Sequence, residues 1–151
     1  MVTLYKCLVF IHVFSAILGI GPGFVLVSIA KSAKTMTELR HAYALKRRLH
    51  NYVMIGGTLL LVTGLSMGAL NPALFHAGWY VTSLALFIVT LIMGPTVLVP
   101  DTKPIKALLA EYDGDDIPEE YHRLARRLYR HENILSLIFV IIISLMILKP
   151  F

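Results

Sequence analysis

The chain is short of cysteine, of acidic residues and, over most of its length, of any charge at all. A single cysteine, Cys7, among 151 residues excludes an internal disulfide and any cysteine-rich zinc or iron–sulfur site. Charged residues make up 15% of the chain and hydrophobic ones 57%, with a mean hydropathy of +0.73. A water-soluble domain of this size cannot cover so much apolar surface with so few charges, so the class is integral membrane. The runs 7–30, 51–100 and 133–148 hold no Asp, Glu, Lys or Arg. That absence argues against a pump or proton-coupled transporter built on an intramembrane carboxylate. It also excludes a hydrolase whose Ser–His–Asp set lies within the spans.

The charges that exist lie in two blocks. Residues 31–48 carry Lys31, Lys34, Arg40, Lys46, Arg47 and Arg48 against Glu38 alone, and residues 101–130 form the second block. A net charge of +5 distributed this way is the pattern of membrane orientation rather than of a basic groove, so the lipid bilayer is the expected partner and nucleic acid is not. The positive-inside rule places both blocks in the cytoplasm and both termini outside.

The first uncharged run, 7–30, has 24 residues, enough to cross a hydrocarbon core of ~30 Å at about 1.5 Å per residue. Ser28 and Ala30 have the small side chains of a leader-peptide cleavage site. The run is longer than a leader's apolar region, however, and only Lys6 precedes it, so this helix is expected to stay. Thr35 and Glu38 have capping-box spacing, which predicts one long helix over 37–70 whose first turns are polar. Asn71 and Pro72 mark a turn. Phe75, Trp79 and Tyr80 read as an interfacial aromatic belt. The third span is predicted over 78–99, kinked by Pro95 and closed by Pro100, with a short amphipathic interfacial helix over 103–112. After the acidic turn 113–116, Pro118 suits the first turn of a helix running through Arg130 into the last span. Arg130 and Lys149 are expected to snorkel at its two ends.

The expected fold is an all-α, four-transmembrane-helix bundle forming one integral membrane domain, with spans at about 4–30, 50–70, 78–99 and 131–149. Helices 2 and 4 extend into the cytoplasm. Residues 38–41 with His50 and Asn51 resemble 119–122 with His131 and Asn133, and each histidine pair is nine residues apart. This suggests two pseudo-repeated hairpins, against the alternative of two chance basic segments.

With no charge in the apolar runs 7–30, 51–100 and 133–148, the six histidines are the strongest candidates for chemistry. His12 lies roughly 12 Å deep, and an intramembrane ionisable group is a functional hypothesis by default. Ser15, Ala16, Gly19 and Gly23 share its face, so either another helix or a flat ligand packs there. Neutral imidazole is a good ligand for haem iron or copper, and nearby glycines would let a porphyrin lie against the backbone. The competing reading is a histidine bonded across helices to a hydroxyl or a carbonyl. His50 and His131 sit at the mouths of the second and fourth spans, where they would clamp a haem between them or simply meet lipid phosphates. His41 and His50 are about 180° apart on their helix and cannot share a site, and the same holds for His122 and His131. His76 in the outer turn is expected to be solvated. Gly57, Gly64 and Gly68 lie near one face, and Gly64 with Gly68 repeats the spacing of Gly19 with Gly23. This favours the first two helices packing glycine to glycine over a cofactor cleft. Such packing is compatible with a homodimer or a larger membrane complex and specifies neither.

Several stretches resemble a bacterial family of uncharacterised, predicted four-helix integral membrane proteins. They are 4–24, with its histidine followed seven and eleven residues later by glycine, Thr63-Gly64, Gly94-Pro95, and the close Met146 to Lys149-Pro150. More distantly, the first-span histidine resembles those of the copper-resistance D-type proteins and of the bacterial membrane protoporphyrinogen oxidase. In the oxidase the first-span histidine is linked to haem, which maps here to His12 alone. That enzyme also uses an intramembrane lysine, which no span here has, and this departure counts against the oxidase activity. The expectation is therefore a protein that binds b-type haem, or alternatively copper, in a redox or metal-handling role. The cofactor-binding candidates are His12, Gly19, Gly23, His50 and His131, with His12 also the metal ligand. The alternatives are a non-catalytic subunit or stabiliser of a larger complex and, with less support, a small-solute or metal transporter.

Overall fold

A computed structural model describes residues 2–151, with side chains from Thr3 onward. The described chain is helical throughout, with no strand. Four of its helical stretches are long and apolar enough to cross a membrane: Thr3–Ser32, Met36–Leu70, Gly78–Glu111 and Glu119–Leu148.

Helix α1 spans Val2–Ser32 and α2 spans Met36–Leu70. The turn between them is short because α2 is capped at once. The Thr35 hydroxyl accepts from the Glu38 backbone N–H at 3.2 Å, and the Glu38 carboxylate accepts from the Lys34 N–H at 2.7 Å. Two amides that the helix start would leave unpaired are thereby satisfied. Asn71 ends α2, and a 3-10 turn over Pro72–His76 leads into α3, Gly78–Met93.

The sequence reading closes the third span at Pro100, and here the structure differs. Gly94–Leu98 is a π-helical turn that passes directly into α4, Val99–Glu111. The Val99 N–H bonds back to the Gly94 carbonyl, five residues away. A widened turn of this kind lets a helix continue past prolines that supply no N–H of their own. The Thr96 and Thr102 hydroxyls donate to the Ile92 and Leu98 carbonyls, at 2.6 and 2.7 Å. Helix α5, Glu119–Leu148, follows the acidic turn and ends at Lys149, which adopts a left-handed conformation with φ 45°.

Two cores stack along the bundle. In the membrane layer Ile20, Leu60, Phe87 and Ile142, one residue from each of α1, α2, α3 and α5, come together. At the loop-bearing end, Met36, Leu39, Ile105 and Leu128 are essentially solvent-free, packed with Tyr43, Leu109, Tyr121 and Ala125. Helix α4, expected as a short amphipathic helix, turns its apolar face to the protein. Asp101, Ile105 and Leu109, spaced by four, form its buried face. Outside both cores the apolar surface is open: Phe10 is 72% exposed, Ile17 66% and Leu137 60%. Contiguous exposed apolar surface of this kind belongs in lipid.

The chain end seals the opposite pole. The Trp79 N–H donates to the Phe151 carbonyl at 3.0 Å, the Phe151 ring covers Gly78, and the Lys149 ammonium sits 5.3 Å from the centre of the Trp79 ring. At this distance the ammonium makes a cation–π contact with the indole.

Candidate functional site

The α1–α2 seam is built on one close approach. A Cβ placed on Gly56 would fall within 2.4 Å of the Gly19 nitrogen, and one on Gly19 within 2.9 Å of the Gly56 carbonyl carbon. The two backbones touch where only glycine fits, as small-residue membrane seams require. The helices do pack glycine to glycine, but through Gly56 rather than Gly57, which has open space around it, as does Gly23. Gly19 is taken up by this contact.

Seven residues, about two turns, separate His12 from Gly19 on α1 and also Gly56 from Thr63 on α2. In an antiparallel pair this equality brings His12 level with Thr63, and the imidazole Nδ1 lies 2.8 Å from the Thr63 hydroxyl oxygen. That hydroxyl also lies 2.6 Å from the Leu59 carbonyl, which can only accept. A threonine has one hydroxyl proton, so donating it to Leu59 leaves the oxygen to accept from His12. In that arrangement Nδ1 carries the ring proton, and Nε2 of the neutral ring keeps its lone pair. The ring rests over Gly64, whose Cβ position lies 3.4 Å from the imidazole Cε1. The Gly64 carbonyl accepts from the buried Tyr80 hydroxyl at 2.9 Å. Three helices thus fix one half-buried histidine within the apolar layer.

His131 is the second ordered imidazole. Its Nδ1 lies 2.5 Å from one oxygen of Asp101, whose other oxygen takes the Arg127 Nε at 2.9 Å. The Asp101 side chain is 4% exposed, so it is a buried carboxylate that sequence reasoning left in a surface segment. Beside it Lys46 and Glu132 pair at 2.7 Å, both largely buried, and the Tyr121 and Tyr129 hydroxyls meet at 2.7 Å. Among the described residues the Glu132 Oε2 and the Tyr43 hydroxyl have no hydrogen-bond partner. Burial pushes the Tyr43, Tyr121 and Tyr129 phenols above their ordinary range, so they stay neutral.

The predicted ligands are not gathered into one centre. His50 is exposed, as are His41, His76 and His122. His131 is held by Asp101 rather than facing His50 across a haem, so the two halves of the proposed repeat differ at their most comparable histidines. Among the described residues no three His, Cys, Asp or Glu side chains form a metal-binding group. Sequence reasoning missed Thr63 as the partner of His12, and Asp101 and Glu132 as buried acids. The equal seven-residue offsets on α1 and α2 were a usable signal for Thr63.

The four apolar helices agree with the comparison to known families. No curated protein and no solved structure matches the chain. A family model described as a predicted integral membrane protein, DUF2269, matches residues 6–150. The chain belongs to the DUF2269 family of predicted integral membrane proteins.

Proposed function

We propose that this membrane protein binds a b-type haem through the Nε2 of His12 and serves a redox role in the bilayer. The observation that carries the reading is the hydrogen-bond relay from His12 Nδ1 through Thr63 to the Leu59 carbonyl. A ligating histidine needs one nitrogen held by a partner and the other left with its lone pair, and His12 meets both conditions. The donor set favours haem over copper. A copper ion asks for several protein donors, and among the described residues no group of three His, Cys, Asp or Glu includes His12, whereas a porphyrin supplies four nitrogens of its own and would need one histidine from the chain. When bound, the haem would supply one-electron chemistry. The chain's part is to orient the imidazole and to keep it in an apolar, water-poor layer.

The porphyrin would not lie against Gly19, because Gly56 already does. His131, with its Nδ1 on Asp101, is the second candidate ligand. Its place at the other end of the bundle makes it a separate site. The basic segments at that end support a plasma-membrane orientation with both termini outside.

A second reading rests on the same seam. Gly19, Gly56, His12 and Thr63 together could do no more than lock α1 to α2, making the protein a non-catalytic subunit or stabiliser. Titration of haem into detergent-purified protein, followed by absorbance, separates the two. Saturable binding by the wild type that is lost in His12→Ala, while His50→Ala still binds, supports the first. Equal haem uptake by wild type and His12→Ala leaves the second.

A further inference from the structure

One face of α5 presents cations at regular spacing toward the loop end and apolar side chains toward the membrane layer. Arg126 and Arg130 are four residues apart, Asn133 continues the same face, and Leu137 lies a further turn along. With Lys31 at the end of α1 as the facing wall, they line an open groove of about 640 Å³, within the size range of small-ligand sites.

Among the described residues the cations of this groove are unspent, as are Arg47 and Arg48 outside it; what this groove adds is an apolar extension beside them. Arg127 is committed to Asp101, Lys46 to Glu132 and Arg123 to Glu120. Arg40 donates to the backbone carbonyls of Leu109 and Tyr112. Among the described residues Lys31, Arg126 and Arg130 have no carboxylate partner, and no Asp or Glu lines the groove. Lys31 is nonetheless placed, its ammonium 5.1 Å from the centre of the Tyr129 ring. The floor is polar where the cations stand and turns apolar at Ile134 and Leu137. A soluble anion would use only the first half of such a groove, whereas a phospholipid would use both.

We propose that this groove is a binding site for an anionic glycerophospholipid, with the phosphate between Lys31, Arg126 and Arg130 and the acyl chains along Ile134 and Leu137. Basic pockets at helix ends, continuous with the lipid-facing surface, suit such headgroups. The Asn133 amide adds a donor for the headgroup, and the arginines offer paired N–H groups to phosphate oxygens.

The test is native mass spectrometry of detergent-purified protein supplied with phosphatidylglycerol or with phosphatidylcholine. The wild type should retain phosphatidylglycerol over phosphatidylcholine. In Arg126→Gln/Arg130→Gln that retention should fall roughly 30-fold, the effect of removing two surface cations near a lipid phosphate. Arg47→Gln/Arg48→Gln, which removes the same charge from exposed positions outside the groove, should retain lipid as the wild type does. Lys31→Gln serves as an independent variant on the facing wall, and circular dichroism with gel filtration checks that each variant folds. Equal loss in the two double variants would reduce the effect to net charge and overturn the site. So would equal retention of the two lipids by the wild type. Inorganic phosphate displacing the lipid as effectively as phosphatidylglycerol itself would make the groove a soluble-anion site and overturn the lipid assignment.

Discussion

The His12 imidazole and the Thr63 hydroxyl lie 2.8 Å apart across the α1–α2 seam, two helical turns from the point where Gly19 and Gly56 bring the two backbones into contact. The glycine contact sets the register, and the register places a hydroxyl opposite the histidine. Thr63→Val keeps the side-chain shape and removes the hydroxyl that lies 2.8 Å from Nδ1. It should cost about 1–2 kcal/mol, the range for an interhelical bond in a membrane, while Thr63→Ser should stay close to wild type. Thermal unfolding in detergent measures both.

Gly56→Val places branched carbons where the Gly19 backbone already lies. The helices must separate, at about 1–3 kcal/mol for overpacking and occasionally more. Gly57→Ala, one residue along in open space, should lie within about 0.5 kcal/mol of wild type. Cysteine cross-linking efficiency between α1 and α2 should fall in the first variant alone.

Ile105 shows what covers the apolar face of α4. On an interfacial helix Ile105→Ala would be nearly silent. In the core, where Ile105 is fully buried with Met36, Leu39 and Leu128, the substitution should cost about 2–5 kcal/mol. Denaturation midpoints of Ile105→Ala and of the exposed control Ala107→Ser separate the two.

The Lys46–Glu132 pair can be read by a double-mutant cycle. Lys46→Met leaves a largely buried carboxylate, one of whose oxygens already lacks a partner. Its cost should approach the ~3 kcal/mol lower bound for breaking a buried pair. Lys46→Met/Glu132→Leu should recover most of that loss, because no charge is then left stranded.

The sequence made the spans legible because uncharged runs of that length have one solution in a bilayer. Thr35 with Glu38, and Asn71 with Pro72, marked the ends of α2 through local chemistry, and the structure keeps both. What the sequence could not supply was rotation and cover. Gly56 and Gly57 are neighbours about 100° apart on the helix, and only the packing with α1 selects Gly56. The face made by Ile105 and Leu109 was readable as amphipathic, but its pattern does not say whether lipid or protein covers it. Pro100 normally ends a helix, and the π turn over Gly94–Leu98 lets the helix continue regardless. Asp101 and Glu132 read as solvated charges because their partners, His131 and Arg127 on one side and Lys46 on the other, are distant in sequence or lie across a turn.

The central claim is that His12 ligates haem, and the absorption spectrum of the protein as purified from cells, oxidised and dithionite-reduced, tests it most directly. The account predicts a Soret band and a reduced α-band in the wild type, both lost in His12→Ala and both retained in His50→Ala. Thr63→Val should keep the bands but shift the reduction potential, because Thr63 tunes the ligand without replacing it. A wild-type protein without these bands even when cells are supplied with haem, or bands that persist in His12→Ala, would contradict the account.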